Sequence, residues 1–225
     1  MKHGKKYRAV SEKVEKNKLY EVLEALTIVH GNKIAKFDES VEVHIKCAID
    51  PKKGDEQVRG SLVLPHGIGK ASKIAVITST KVKEATEAGA DVVGGEELIE
   101  KIKLGKLEAV DVIVASPEMM PKLASVAKIL GPRGLMPSPK TETVTDKIKE
   151  AVEQLKKGKL SFKNDNTGNV HQVIGKLSFE VKKLEENYAF FVDAIQKARP
   201  AGIKGKYVTG ISICSTMGPG VKIIL

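Results

Sequence analysis

Lys73-Ile74-Ala75-Val76-Ile77-Thr78 is a short apolar run rich in β-branched residues, and such a run is typical of a buried strand. Further strands are predicted at residues 91–93 and 110–115. Helices are predicted to alternate with these strands, at residues 81–88, at 96–104, from a cap at Ser116 with Pro117 in the first position, and at 144–157. This alternation predicts parallel strands covered by helices, which is a small doubly wound α/β layer structure.

The two flanks of this segment have a different pattern. Val41, Val43, Ile45 and Cys47 alternate with polar residues, which indicates an antiparallel strand with one buried face. Further strands are predicted at residues 58–64, 160–163, 170–179 and 206–214, and helices at residues 18–30 and 181–198. Neither flank alone has enough strands for a sheet with a core. We therefore predict one discontinuous α+β domain of residues 1–67 and 159–225, with residues 68–158 inserted as a second domain.

Charge is concentrated in the flanks. The chain of 225 residues has 38 basic and 28 acidic side chains, for a net charge of +10. The two flanks carry +8 of this charge, and the middle carries +2. A basic excess favours a polyanionic partner, because each neutralised phosphate releases a counterion. Aromatic residues make up only 4% with no Trp, which favours recognition of folded RNA by shape and backbone over base stacking.

The motifs of enzymes are not found. Pro65-His66-Gly67-Ile68-Gly69-Lys70 lacks the first glycine of a phosphate-binding loop, and Ala71 stands where Ser or Thr is required. The histidines and cysteines have no metal-ligand spacing, and no nucleophile elbow surrounds a serine or cysteine. The sequence thus predicts no enzyme, no metal site and no cofactor. A nucleotide-binding enzyme using the middle domain and a free-standing mRNA-binding regulator remain as alternatives.

Hydropathy and cysteine usage indicate the cellular compartment. No apolar run approaches the roughly 20 residues needed to cross a bilayer. Cys47 and Cys214 lie far apart in sequence and form no C-x-x-C pair, so a disulfide cannot be inferred. We expect a cytoplasmic protein without a membrane partner.

Three polar clusters in the flanks are candidates for RNA contacts. They are residues 36–40, residues 161–168, and residues 215–220. Each also has an ordinary structural interpretation as a loop or turn. Together they combine short polar side chains, glycine backbone and lysines, which suit contacts to 2′-hydroxyls and phosphates.

The same stretches resemble the L-one family of large-subunit ribosomal proteins, of the bacterial type, over essentially the whole chain. The resemblance depends on several ordered motifs: Lys36-Phe37-Asp38-Glu39-Ser40-Val41-Glu42, Val58-Arg59-Gly60, Leu64-Pro65-His66-Gly67, Ala88-Gly89-Ala90-Asp91, Ile129-Leu130-Gly131-Pro132-Arg133-Gly134-Leu135-Met136-Pro137, Asn164-Asp165 with Thr167-Gly168, and Ser215-Thr216-Met217-Gly218-Pro219-Gly220. So many matches in order are very unusual by chance.

The resemblance implies a two-domain fold, in which the inserted domain is a Rossmann-like three-layer α/β structure. It also implies a monomer within the ribosome that binds large-subunit ribosomal RNA at a mobile stalk near the tRNA exit site. Assistance in the release of deacylated tRNA and repression of translation by binding its own operon mRNA are implied as well. The RNA-binding positions that it implies are Lys36, Phe37, Glu39, Ser40, Lys163, Asp165, Ser215, Thr216, Met217 and Gly218.

Overall fold

A computed structural model describes residues 4–15, 18–70, 72–105, 110–156 and 158–225. The chain divides into two compact units, one of Met1–Gly69 with Ser161–Leu225 and one of Lys70–Leu160. Each junction lies two residues beyond the position predicted from the sequence.

The described residues form helices and strands throughout both units. The α-helices are α1 Lys5–Ser11, α2 Val22–Gly31, α3 Val82–Glu87, α4 Glu96–Lys103, α5 Met120–Leu123, α6 Ala127–Leu130, α7 Ile148–Lys156 and α8 Val181–Lys197. The strands are β1 Ser40–Cys47, β2 Arg59–Val63, β3 Ile74–Ile77, β4 Val92–Gly94, β5 Val112–Ala115, β6 Lys159–Lys163, β7 Asn169–Lys176, β8 Val208–Ser215 and β9 Val221–Ile223. Short 3-10 helices cover Gly54–Glu56, Pro117–Met119, Ala124–Val126 and Pro139–Thr141. Among the described residues, no helix is long and apolar enough to cross a bilayer.

The second unit is a three-layer structure around the run that begins at Lys73. Its three parallel strands have the order β4-β3-β5, so β3 is central. All four residues of β3 are buried, because they face helices on both sides of the sheet. Ala75 and Ile77 pack with α4 and the helical segments after β5, while Ile74 and Val76 pack with α3 and α7. The predicted α/β fold class with a parallel, helix-covered sheet is confirmed.

One local prediction in this unit was right only in its starting point, and another was wrong. A helical segment does begin at Pro117 after Ser116, but it is a series of short 3-10 and α-helical pieces, and Pro121 removes an N–H donor within it. The Ser116 hydroxyl caps nothing and is buried without a hydrogen-bond partner in the described structure. Helix α7 begins at Ile148, four residues later than predicted, because Val144 instead forms a parallel bridge with Ala115 at the edge of the sheet. The predicted last residue of that helix, Lys157, lies outside the described residues.

The first unit is built on an antiparallel sheet of order β7-β1-β8-β9. Helices α2 and α8 cover one face, where Val41, Val43 and Ile45 are fully buried. Phe191 of α8 is also fully buried in this core. The polar residues that alternate with these valines and isoleucines therefore lie on the opposite, open face of the sheet.

A second, two-stranded sheet of β2 and β6 completes this unit. The Asn164 side chain is buried beside it and accepts a hydrogen bond from the Val58 N–H at 2.9 Å. Phe162 of β6 lies over Gly60, where an added Cβ would be 2.7 Å from the ring. These contacts fix the chain that leads from β6 into the turn before β7.

Candidate nucleic-acid interface

One predicted cluster, residues 36–40, meets the first part of another, residues 215–220, where β1 begins. Residues 36–40 and 215–218 together are called the Glu39 end of the sheet. Val41 and Ser215 are register partners in the β1–β8 ladder. The Thr216 N–H continues this ladder by donating to the Ser40 carbonyl at 3.0 Å. The Thr216 hydroxyl accepts a hydrogen bond from the Ser40 N–H at 3.0 Å. Residues 176 positions apart in sequence are thereby held side by side.

A buried carboxylate joins the two clusters. Glu39 is 0% exposed, and its Oε1 accepts hydrogen bonds from the N–H groups of Ile34 at 2.9 Å and Ala35 at 2.7 Å. Its Oε2 accepts from the Met217 N–H at 3.2 Å. Burial by itself would raise the pKa of Glu39, but these hydrogen bonds and one from the Ser215 hydroxyl outweigh it and lower the pKa. Glu39 therefore organises the Glu39 end from within and does not face solvent.

Other side chains at the Glu39 end face solvent. Phe37 is 54% exposed and Met217 is 51% exposed. Lys36 and Thr216 are also exposed, whereas Ser215 is buried. The Ser40 hydroxyl accepts a hydrogen bond from Lys176 Nζ at 2.8 Å. The Glu39 end thus presents two large apolar side chains beside a lysine and hydroxyl groups.

Lys163 and Asp165 do not lie at the Glu39 end but near the other end of β1. Asp165 begins a turn of residues 165–169, called the Asp165 turn, whose Gly168 carbonyl accepts from the Cys47 N–H at 3.0 Å. Ser40 and Cys47 are the two ends of β1, which spans eight residues, so the Asp165 turn is about 23 Å from the Glu39 end. Lys163 is exposed and precedes this turn by two residues. The predicted set therefore forms two separate groups at opposite ends of β1.

The Asp165 carboxylate holds its own turn together. It accepts hydrogen bonds from the N–H groups of Thr167 and Asn169, both at 2.8 Å, and from the Thr167 hydroxyl. His171 Nε2 lies 3.3 Å from its Oδ2. Burial would raise the pKa of Asp165, but the hydrogen bonds from Asn169, Thr167 and His171 hold it well below its usual range. Asp165 is consequently an ionised acceptor that is largely occupied by its own turn.

The open face of the sheet connects the two ends, and sequence reasoning did not select it. A groove of about 800 Å³ crosses this face, lined in part by His44, Lys46, His171, Ser212 and Lys222. The only indication of this face in the sequence was the alternation of Glu42, His44 and Lys46 with apolar residues along β1. It predicted an exposed face but not that residues of β7, β8 and β9 would share it, because strand order is not local information.

Gly218 closes the turn at the Glu39 end by direct contact with Ser215. A Cβ added at Gly218 would lie 2.5 Å from the Ser215 hydroxyl oxygen, whereas one added at Gly220 would meet nothing within 4 Å. We expect Gly218→Ala to displace the turn and lower the free energy of unfolding by about 1–3 kcal/mol, as overpacking does. Gly220→Ala is the matched control and should leave stability nearly unchanged. Equal urea midpoints for the two variants would contradict this account of the turn.

An open sheet face with lysines, next to turns that carry exposed apolar side chains, is typical of nucleic-acid-binding proteins. A model of the ribosomal protein L1p/L10e family matches residues 29–219. The chain therefore belongs to the ribosomal protein L1p/L10e family and is a structural ribosomal protein.

Individual relatives agree with this assignment over nearly the whole chain. It is 49% identical over 222 residues to the large ribosomal subunit protein uL1 of Mycoplasma capricolum, covering 99% of this chain and 98% of that protein. It is 48% identical over 223 residues to uL1 of Solibacter usitatus, covering 99% and 94%. It is 50% identical over 226 residues to uL1 of Persephonella marina, covering 99% and 93%.

Proposed function

We propose that the first unit binds structured large-subunit ribosomal RNA through the Glu39 end, the Asp165 turn and the open sheet face between them. The observation that carries the proposal is that one buried carboxylate holds the chain at two half-exposed apolar side chains. Glu39 lies two residues after Phe37 and accepts a hydrogen bond from the Met217 N–H. Exposed apolar groups rimmed by polar and basic residues mark interaction surfaces. The +8 charge of the two flanks supplies attraction to phosphates.

The residues of this surface have different roles. Lys36 and Lys163 are exposed and can neutralise phosphates. Phe37 and Met217 press apolar surface on riboses or bases. Ser40 and Thr216 offer hydroxyl groups for hydrogen bonds. Gly218 has no side chain and so lets the RNA approach the backbone closely. Glu39, Asp165 and Ser215 act indirectly, because their side chains are committed to the loops that carry the contacts.

Membership of this family supports more specific proposals about the place of the chain in the ribosome and its role in translation. We propose that the chain acts in the cytoplasm as a monomer in the large ribosomal subunit, at a mobile stalk near the tRNA exit site, where it assists release of deacylated tRNA. Repression by binding its own operon mRNA would use the same surface, since an mRNA that mimics the ribosomal site presents the same phosphates and hydroxyls. Competition between the two RNAs for one protein site would test this second role.

Met217→Ala and Thr216→Val are expected to weaken binding to structured ribosomal RNA by about 1–3 kcal/mol each, by analogy with loss of one good base contact. Thermal stability should stay close to wild type, because both side chains are exposed. The Thr216 hydroxyl also accepts a hydrogen bond from the Ser40 N–H, so Thr216→Val should lower the free energy of unfolding by about 0.5–1.5 kcal/mol, a shift of only a few degrees in melting temperature. Filter binding and thermal melting of the same samples measure both quantities.

Leu23→Ala is the matched control for Met217→Ala, because Leu23 is also 51% exposed but lies on α2, which covers the other face of the sheet. RNA affinity should not change in this control. Unchanged affinity in both test variants would show that the Glu39 end is not the interface, and a sharp drop in melting temperature would make these residues structural. Co-sedimentation with large subunits distinguishes a ribosomal protein from a free-standing mRNA regulator.

A further inference from the structure

Three side chains with metal-ligand atoms lie together on the open face of the sheet. They are Glu42 and His44 of β1 and Cys214 of β8, and their ligand atoms all lie within 4.8 Å of one another. Glu42 and Cys214 are register partners, and His44 is on the same face two residues further along β1. The sequence predicted no metal site, because these residues have no ligand spacing along the chain and come together only through strand pairing.

A chain of hydrogen bonds fixes the protons of this cluster. Asp165 is ionised and only accepts, so His171 donates its Nε2–H to Oδ2 across 3.3 Å. The remaining lone pair of a neutral His171 is on Nδ1, which is 2.8 Å from His44 Nδ1, so His44 donates there. The free lone pair of His44 is then on Nε2, which faces Cys214 Sγ at 3.1 Å. Without metal, this lone pair accepts the thiol proton.

We propose that His44, Cys214 and Glu42 form a binding site for a borderline-soft divalent metal ion, for which Zn²⁺ is the best match. A tetrahedral zinc with bonds of about 2.0–2.1 Å to nitrogen and 2.3 Å to sulfur needs the two donors about 3.5 Å apart. The Nε2–Sγ distance of 3.1 Å requires only a small rotamer adjustment to reach this value. A mixed nitrogen, thiolate and carboxylate set disfavours Mg²⁺ and Ca²⁺, which prefer oxygen ligands.

The groups next to the ligands are those that usually support a metal-bound histidine. Metal-bound histidines usually donate their other ring N–H to an acceptor that fixes the ring, and here His171 and Asp165 provide that acceptor chain. A thiolate and a carboxylate balance the two positive charges of the ion. The metal replaces the thiol proton, which leaves to solvent, and a water completes the fourth position.

A metal ion binds the thiolate form of cysteine and the lone pair of a neutral imidazole. Each ion that binds therefore displaces the Cys214 thiol proton, which passes to solvent.

The test is a titration of the reduced full-length protein with Co²⁺, which gives a thiolate-to-cobalt charge-transfer band only when a cysteine binds the ion. We expect one equivalent to bind and Zn²⁺ to displace it. Cys214→Ser and Cys214→Ala should both abolish the band. His171→Gln should weaken binding by about 10–100-fold, because it removes the ring nitrogen that orients His44. Cys47→Ala is the matched control, because Cys47 is the other thiol but is buried in the core, and it should keep the band.

Several outcomes would overturn the proposal. Absence of a charge-transfer band in the wild type at stoichiometric Co²⁺ would mean that the cluster is a histidine–thiol packing arrangement only. A band that persists in both Cys214 variants, or that disappears in Cys47→Ala while Cys214 is intact, would place the ion elsewhere.

Discussion

Glu39→Gln is expected to lower the free energy of unfolding by about 2–4 kcal/mol at pH 7, because hydrogen bonds to a charged group contribute about 1.5–3 kcal/mol each. The carboxylate accepts hydrogen bonds on both oxygens, from Ile34 and Ala35 on one and from Met217 on the other. Glutamine keeps one acceptor oxygen and replaces the other by an NH₂ group. Either orientation of the amide therefore turns donors toward donors in a fully buried position.

The effect should depend on pH with a definite sign. The pKa of Glu39 is lowered from its ordinary value of 4.5 in the folded protein. The stability that its ionisation contributes is therefore present above that value and is lost as the pH falls through the folded pKa. Urea denaturation of wild type and variant at several pH values should show a difference that is largest near neutrality and shrinks in acid.

Glu12→Gln is the matched control for this substitution. Glu12 belongs to the same unit and is exposed, so its change should alter stability by less than about 0.5 kcal/mol. RNA affinity of Glu39→Gln should also fall, because the loop with Phe37 and the turn with Met217 lose their common anchor. A variant as stable as the control would mean that Glu39 does not organise this end of the sheet.

Replacement of residues 68–158 by a short Gly/Ser linker is expected to leave a folded protein whose RNA affinity stays within about tenfold of wild type. The large core cluster of the first unit contains no residue of this segment, and both clusters of the second unit lie within it. Strands β2 and β6, which flank the excised segment, are neighbours in one sheet, so the linker closes a short gap at modest entropic cost.

The converse protein, residues 68–158 alone, should fold but bind RNA roughly a thousandfold or more weakly, which is the usual gap between specific and non-specific binding. It carries only +2 of the net charge and none of the proposed contact residues. Filter binding across a salt series should show that the joined flanks keep most of the salt dependence, because the phosphate-neutralising lysines remain. Tight binding by the insert, with none by the joined flanks, would contradict the proposed interface.

Local patterns in the sequence were sufficient for most elements of the fold. The β-branched run at residues 74–77 and the alternation at Val41, Val43 and Ile45 each define which side of a strand is buried, because side chains alternate along a strand. Each pattern extends over only a few residues, so it can be recognised without knowledge of the tertiary structure. They missed the division of the helix after Ser116, where Pro121 removes an N–H donor, and the late start of α7, where Val144 pairs with Ala115 at the sheet edge.

The arrangement of the candidate sites depends on contacts between distant residues. Glu39 and Met217 are 178 positions apart, and only the pairing of β1 with β8 places a carboxylate against that N–H. The same pairing brings His44 to Cys214, 170 positions away, while the length of β1 separates Asp165 from the Glu39 end. By itself the sequence determined the α/β class, the basic flanks and the clusters that resemble the family. The tertiary structure decided which polar side chains face solvent and which are buried and hold loops in place. The reason is that packing of the whole core sets the order and register of the strands.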